Sequence, residues 1–271
     1  MEDETYRKGI ENWRAELNGS IRKENGWLAL AGLFWLKLGK SEVGSDSKCR
    51  IQLPPRLPAS IGHLEYDGRT VSFRATPGQK VNVNGSLVDF ASLKTDITDS
   101  PSFITLEDVR FVIIERGNRF GVRMWDNQRE ERKTFPARTW FDIDESFRVP
   151  AIYTAYDRPK KVFFPGIMGE KSEFPVEGYL SFEFNGKGYQ LDANKEDDGS
   201  LFVRFWDPTS RESTYPTGRY LEMEEVDGKL FIDFNKAYNP PCAITDFATC
   251  VFAPEQNHLD FRVIAGETYT R

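Results

Sequence analysis

Asn-Gly and Asp-Gly turn pairs constrain the fold of this chain more than any other feature. Asp67-Gly68 separates Leu64-Glu65-Tyr66 from Val71-Ser72-Phe73, and Asn84-Gly85 separates Val81-Asn82-Val83 from Leu87-Val88. Such pairs accept the positive φ of a type I′ turn, whose twist matches an antiparallel hairpin. Leu38-Gly39-Lys40, Pro54-Pro55 and Pro77-Gly78 punctuate the same stretch, and such dipeptides interrupt strands. Phe111 to Glu115 and Gly121 to Trp125 make another strand pair around Arg116-Gly117-Asn118. Short strands at this spacing over residues 26–127 predict a β-sandwich. The aromatic content of 14% points the same way, because aromatic side chains suit a pleated, half-buried surface.

The alternation resumes after the middle of the chain. Strands are expected at Phe147 to Tyr156, Lys161 to Pro165, Tyr179 to Phe184, Tyr189 to Asp192, Leu201 to Trp206, Arg219 to Met223, Lys229 to Phe234 and Leu259 to Ile264. Asn185-Gly186 and Asp227-Gly228 supply further hairpin turns. A second antiparallel sheet, curled into a barrel or sandwich over residues 146–271, accounts for this pattern. Helical periodicity is confined to the start, where Tyr6, Ile10, Trp13 and Leu17 fall on one face and Asn18-Gly19 ends the run. The expected organisation is a helix over 1–25, a sandwich over 26–127, a charged, turn-rich junction over 128–145, and the second β domain. The fold class is therefore mainly β.

A net charge of −6 disfavours nucleic acid, since phosphate-backbone binding needs concentrated Lys and Arg. The acidic N-terminus lacks a secretory pattern, and the longest apolar run, Trp27 to Leu36, is too short to span a bilayer. With three cysteines and no export signal, the expected setting is cytoplasmic with reduced thiols. No membrane partner is expected, and the sequence specifies no oligomeric state.

The segments GWLALAGLFWLKLG, RGNRFGVRMWD, STYPTGRYLE, DFNKAYNPPCAITDFATC and PEQNHLDFRVIAGE resemble the family of proteins filed as domain of unknown function 1684 across nearly the whole chain. That resemblance implies membership without an activity. It also implies that Trp206-Asp207-Pro208-Thr209, Thr214-Tyr215, Gly218-Arg219-Tyr220 and Asp233-Phe234-Asn235 belong to shared motifs. In the first half, Gly44, then Ser60-Ile61-Gly62-His63, then Asn84-Gly85 resemble the Gly-Arg, Ser-x-x-His and Asn-Gly order of the forkhead-associated domain, a phosphothreonine-binding sandwich. Ser45 stands where that domain has its phosphate-binding Arg, and a guanidinium fork is what reads phosphate bidentately.

Two histidines, His63 and His258, fall in different halves, and no Gly-x-Ser-x-Gly elbow occurs, so a serine triad lacks its parts. Cys242 and Cys250 lie outside the knuckle spacing of structural zinc sites, and neither phosphate-loop motif is present. No metal or cofactor is expected. His258 beside either cysteine would make a thiolate pair, although a loop-capping role is the more ordinary one. The remaining polar set is Asp207, Tyr215, Arg219, Asp233, Asn235, Tyr238 and Asn239, gathered near strand ends where sites collect. In one reading Arg219, Tyr215, Asn235, Tyr238 and Asn239 hold a small polar or anionic ligand while Asp207 or Asp233 transfers a proton in acid–base or hydrolytic chemistry. In another, Arg219 is neutralised by the two carboxylates in a buried network. A protein-interaction module or scaffold, built on a sandwich without its phosphate site, is the alternative function.

Overall fold

The computed structural model describes residues 2–79, 81–167, 169, 171–225 and 228–270. Asp227 of the expected Asp227-Gly228 turn therefore lies outside the described residues. The chain divides into two compact units, one comprising residues 21–135 and the other residues 1–20 with 136–271.

Among its described residues, the unit of residues 21–135 contains eleven strands. They are β1 (Leu30–Trp35), β2 (Gly39–Gly44), β3 (Ile51–Gln52), β4 (Gly62–Tyr66), β5 (Val71–Ala75), β6 (Val81–Val83), β7 (Ser86–Val88), β8 (Phe90–Leu93), β9 (Phe103–Leu106), β10 (Val109–Arg116) and β11 (Arg119–Asp126). They form a six-stranded sheet in the order β1-β11-β10-β9-β6-β7 and a five-stranded sheet in the order β3-β2-β4-β5-β8. Val43, Leu64 and Phe73 of the second sheet share a core with Ile104, Phe111 and Val122 of the first, as the period-2 alternation of a sandwich requires. Asn84 and Gly85 both have positive φ between β6 and β7, the backbone that a type I′ turn demands.

The other unit begins with α1 (Glu2–Ser20). Its apolar face is the expected one: Ile10 is buried and Trp13 packs against Trp140 and Tyr238. The short α2 (Glu131–Thr134) precedes the unit's main chain segment. Six strands follow, β12 (Arg148–Pro165), β13 (Lys171–Phe184), β14 (Lys187–Lys195), β15 (Leu201–Phe205), β16 (Arg219–Met223) and β17 (Leu230–Asp233). The antiparallel order β16-β15-β14-β13-β12-β17 curls into a nearly closed barrel. Leu180, Leu191, Val203, Phe205, Leu221, Ile232 and Phe234 fill it.

Two expectations are corrected here. The separate strands at Phe147 to Tyr156 and Lys161 to Pro165 are one long strand, whose register against β13 shifts between Ala155 and Lys160. Pro159 sits in that break, where a missing N–H costs no ladder bond. The expected strand at Leu259 to Ile264 does not form. Its backbone groups are spent elsewhere: the Val263 N–H donates to the Asp207 carboxylate, and the Val263 carbonyl accepts from Arg219. A buried backbone needs partners but not necessarily another strand.

Gly218 lies just before β16 at φ +98°, and a Cβ there would sit 2.3 Å from the Phe205 carbonyl oxygen. Gly186, in the β13–β14 turn at φ +74°, has open space around it. Gly186→Ala should therefore cost about 1 kcal/mol from backbone strain alone. Gly218→Ala should cost about 3 kcal/mol because the clash adds to the strain. Urea denaturation of the two variants checks the order, and equal losses would refute the close-approach argument.

Candidate functional site

The structure distributes the predicted polar set over separate local networks. Arg219 opens β16 directly after the Gly218 turn, and its backbone pairs with Phe205 at the end of β15. Asp207 follows two residues beyond Phe205, so the carboxylate and the guanidinium leave adjacent strands at the same end of the barrel. Arg219 Nη2 donates to Asp207 Oδ1 at 3.0 Å and to the Val263 carbonyl at 2.9 Å, while Nη1 donates to the Ala265 carbonyl. The other carboxylate oxygen, Oδ2, accepts from Thr209 N at 3.0 Å, Thr209 Oγ1 at 2.8 Å and Val263 N at 2.9 Å. Asp207 is 0% exposed and Arg219 1% exposed. Burial pushes the guanidinium's pKa down, and the Asp207 charge opposes it.

Both carboxylate oxygens and both terminal guanidinium nitrogens are engaged, and neither group meets solvent. A general base must reach the proton that it takes, and Asp207 reaches only its own network.

Asp233 ends β17 and caps the following 3-10 turn, accepting from Asn235 N at 3.1 Å. The Tyr6 hydroxyl lies 2.9 Å from each of its oxygens. Burial, and then the Asp233 charge, push the Tyr6 pKa up. Asn235 is fully buried, with Nδ2 donating to the Asp144 carbonyl at 2.8 Å and Oδ1 accepting from Asp144 N at 3.0 Å. Asp233 and Asn235 thus fasten α1 and the chain before β12 to the barrel. Their side-chain polar atoms are engaged within the unit.

Tyr238 donates to Glu222, with its ring against Trp13 and Tyr220. Asn239 N donates to Glu267 Oε2 at 2.7 Å and Asn239 Nδ2 to the Thr268 carbonyl at 3.0 Å. Glu267 in turn forms a buried ion pair with Arg138 at 2.6 Å. The Tyr215 hydroxyl donates to the Cys242 carbonyl at 3.2 Å. His258 stacks beside Trp206 with ring centroids 5.1 Å apart, whereas Cys250 Sγ accepts from Cys242 N at 3.2 Å. His258 thus lies against Trp206, while the two cysteines neighbour each other. Among the described residues there is no cluster of three or more His, Cys, Asp or Glu that could hold a metal ion.

In the sandwich unit, the positions that resemble a phosphothreonine site are also internally engaged. Ser45 Oγ donates to the Leu57 carbonyl at 2.7 Å, and Ser60 Oγ pairs with Thr76 Oγ1 at 3.0 Å. Arg50 Nη2 donates to the Trp35 carbonyl at 2.8 Å. A Cβ on Gly44 would lie 2.1 Å from the Ala59 carbonyl oxygen, so close backbone packing explains that glycine without a ligand.

Sequence reasoning missed a cleft of about 560 Å³ on the barrel unit, lined by Tyr156, Lys160, Lys161, Val162, Gln190, Asp192 and Gln256. Lys160 and Lys161, at the far side of the break in β12, both line it. Tyr156 OH donates to Asp192 Oδ1 at 2.6 Å and Gln256 Nε2 to Asp192 Oδ2 at 2.9 Å. Lys160 Nζ lies 3.6 Å from the Tyr156 ring centroid, and Lys161 pairs with Glu173 at 2.8 Å. Asn257 holds the Gln256 turn in place, donating to the Asp192 and Arg204 carbonyls at 2.9 and 2.8 Å. The available sequence signal was the Pro159-Lys160-Lys161 interruption of an alternating segment.

Comparison with known proteins places the chain in a family. The profile of the family described as protein of unknown function (DUF1684) matches residues 133–268. The chain belongs to that family. A similar solved structure is the solution NMR structure of an uncharacterized protein of Haloarcula marismortui. It is 34% identical, with 51% of this chain and 80% of that chain covered and a TM-score of 0.42. The forkhead-associated domain of FhaA, crystallised with the intracellular domain of another protein, is 14% identical. That comparison covers 34% of this chain and 96% of that one, with a TM-score of 0.24. Comparison with the curated proteins returned no significant match. Among the described residues no helix is long and apolar enough to cross a membrane.

Removing one member of a buried pair leaves an uncompensated charge. Asp207→Asn should therefore destabilise the barrel unit by about 3–5 kcal/mol. Tyr238→Phe, which removes a hydroxyl bound to an exposed carboxylate, should cost about 1 kcal/mol. Chemical denaturation followed by tryptophan fluorescence measures both. An Asp207→Asn loss below about 0.5 kcal/mol, the range of a neutral surface change, would return Asp207 to the list of ligand-facing groups.

Proposed function

We propose that this protein binds a small polar anion in the Tyr156–Lys160–Lys161–Gln190–Gln256 cleft of the barrel unit. The observation that carries this reading is the cleft itself: about 560 Å³, within the size range of small-molecule sites, with two lysines in its lining. Asp192 also lines it, but both carboxylate oxygens are already occupied by Tyr156 and Gln256, which leaves the lysines to face a ligand. Lys161 is held by an exposed ion pair with Glu173, and such a pair contributes about 0–1 kcal/mol. A ligand carboxylate or phosphate can therefore displace Glu173 at small cost. The Gln190 and Gln256 amides add neutral donors that fix orientation.

This reading retains the small polar or anionic ligand expected from the sequence and moves it to different residues. It assigns no acid–base step, because the carboxylates put forward for one are committed to the fold. A cytoplasmic setting accompanies it, on the ground of the odd cysteine count.

The test is a thermal-shift titration of the full chain with inorganic phosphate, pyrophosphate and citrate. A ligand at one hundred times its Kd stabilises the native state by about 2.7 kcal/mol, so the Tm should rise with at least one of these anions. Lys160→Ala/Lys161→Ala, a change to two exposed side chains, should abolish the rise while leaving the unliganded Tm unchanged. No rise with any anion at millimolar concentration, or an equal rise in the double variant, would overturn the proposal.

A further inference from the structure

Four Asn-Gly pairs occur in the chain: Asn18-Gly19, Asn25-Gly26, Asn84-Gly85 and Asn185-Gly186. Their shared chemistry is general. A glycine nitrogen, unhindered by a neighbouring side chain, attacks the preceding side-chain amide and closes a five-membered ring. Closure requires the glycine N–H to be free to lose its proton and the amide carbon to turn towards it. Hydrogen bonds to either group oppose the step, because they must break first.

In three of the pairs the fold holds these groups. Gly19 lies within α1, where the helical ladder takes its N–H. Gly26 N donates to the Lys23 carbonyl at 3.0 Å, and Asn25 Oδ1 accepts from Asn127 Nδ2 at 3.4 Å. Gly85 N donates to Asn82 Oδ1 at 2.7 Å, while Asn84 Nδ2 donates to the Pro101 carbonyl at 3.1 Å and Asn84 Oδ1 accepts from Phe103 N at 2.8 Å. Asn185-Gly186 has the same turn backbone as Asn84-Gly85, with φ of 51° and 74° against 50° and 89°. It lacks the restraints. Among the described residues, neither the Asn185 side chain nor the Gly186 N–H has a hydrogen-bond partner. Both residues are exposed, and a Cβ on Gly186 would meet open space.

From this contrast we infer that Asn185 is a site of spontaneous modification by water, the one Asn-Gly pair of the four that the native fold leaves open to conversion into aspartate and isoaspartate. The Gly186 nitrogen, on losing its proton, attacks Asn185 Cγ. The new C–N bond closes a succinimide as the Cγ–Nδ2 bond breaks, and Nδ2 leaves as ammonia with the proton that Gly186 gave up. Water then opens the ring at either carbonyl. Attack at Cγ breaks its bond to the Gly186 nitrogen and gives aspartate. Attack at the Asn185 main-chain carbonyl breaks the original peptide bond and gives isoaspartate, with the main chain now running through Cγ. One water enters and one ammonia leaves, without oxidation or reduction.

The product sits at a turn that other contacts depend on. Phe184 and Lys187 pair across Asn185 and Gly186, and a two-residue loop fixes that register. Aspartate keeps this main chain and adds a charge, whereas isoaspartate lengthens the loop by one carbon. Phe184 stacks on Phe261 with ring centroids 4.4 Å apart, and both Lys187 and the Tyr189 hydroxyl donate to the Asp260 carboxylate. These contacts seat the segment just before Val263. The isoaspartate form therefore loosens the chain that closes the barrel around Arg219 and Asp207.

The full chain should be incubated in mildly alkaline buffer, sampled over time, digested at acidic pH, where ring closure is slow, and mapped by peptide mass. Amide loss at Asn185 is expected to run at least about tenfold faster than at Asn84, a ratio that corresponds to about 1.4 kcal/mol. Isoaspartate should be detected in the same peptide by methylation with an isoaspartyl methyltransferase. In urea the four pairs should convert at similar rates, because the fold is what distinguishes them. Asn82→Ala, which removes the acceptor of the Gly85 N–H, should raise the Asn84 rate towards that of Asn185. Native-state conversion at Asn185 no faster than at Asn18, Asn25 or Asn84 would overturn the inference. So would an Asn185 amide that persists in the native chain while the unfolded chain loses it. The comparison of native and unfolded wild type decides this even where Asn82→Ala folds poorly.

Discussion

The Arg219–Asp207 pair is the interaction on which the barrel unit depends. Two charges taken out of water are costly unless each is met by hydrogen bonds as well as by the other. Here the C-terminal segment meets them: the Val263 N–H and carbonyl and the Ala265 carbonyl all turn inward to the pair. The dependence runs both ways. That segment is buried without belonging to the sheet, and its backbone groups would be unpaired if the side chains were absent. One ion pair therefore determines where the last part of the chain lies and how that end of the barrel is closed.

The same arrangement recurs on a smaller scale. Asp233 and Asn235 bind the Tyr6 hydroxyl and the Asp144 backbone, which ties α1 and the approach to β12 to the strand end at β17. Glu267 joins Arg138 to the Asn239 backbone. In each case a buried polar side chain serves a segment outside the sheet, whose own N–H and carbonyl groups lack strand partners. Asp207, Arg219, Asp233 and Asn235 of the shared motifs thus hold segments outside the sheet in place. The proposed ligand site is instead the more exposed cleft beside the break in β12.

Much of the fold was legible because hairpin chemistry is local. Asn84-Gly85 and Asn185-Gly186 adopt the positive φ values that their residue types permit, and the face of α1 followed from Tyr6, Ile10, Trp13 and Leu17. Two strand expectations failed in opposite directions. Leu259 to Ile264 alternates like a strand, but alternation reports which side chains are buried, not what the backbone bonds to. In β12 the reverse happened. Pro159 marked an interruption, yet the strand continued past it because a register shift absorbs one missing donor.

The sequence by itself determined the class of the protein: mainly β, with an N-terminal helix, and with its unusual polar residues concentrated near strand ends after residue 200. Local turn geometry and side-chain periodicity suffice for that. Only the tertiary structure decided what those residues do, because a carboxylate or guanidinium reads the same in sequence whether it faces water, a ligand or a buried carbonyl. The difference lies in burial and in partners distant along the chain, Asp207 with Val263 and Asp233 with Tyr6, and no local pattern encodes those distances.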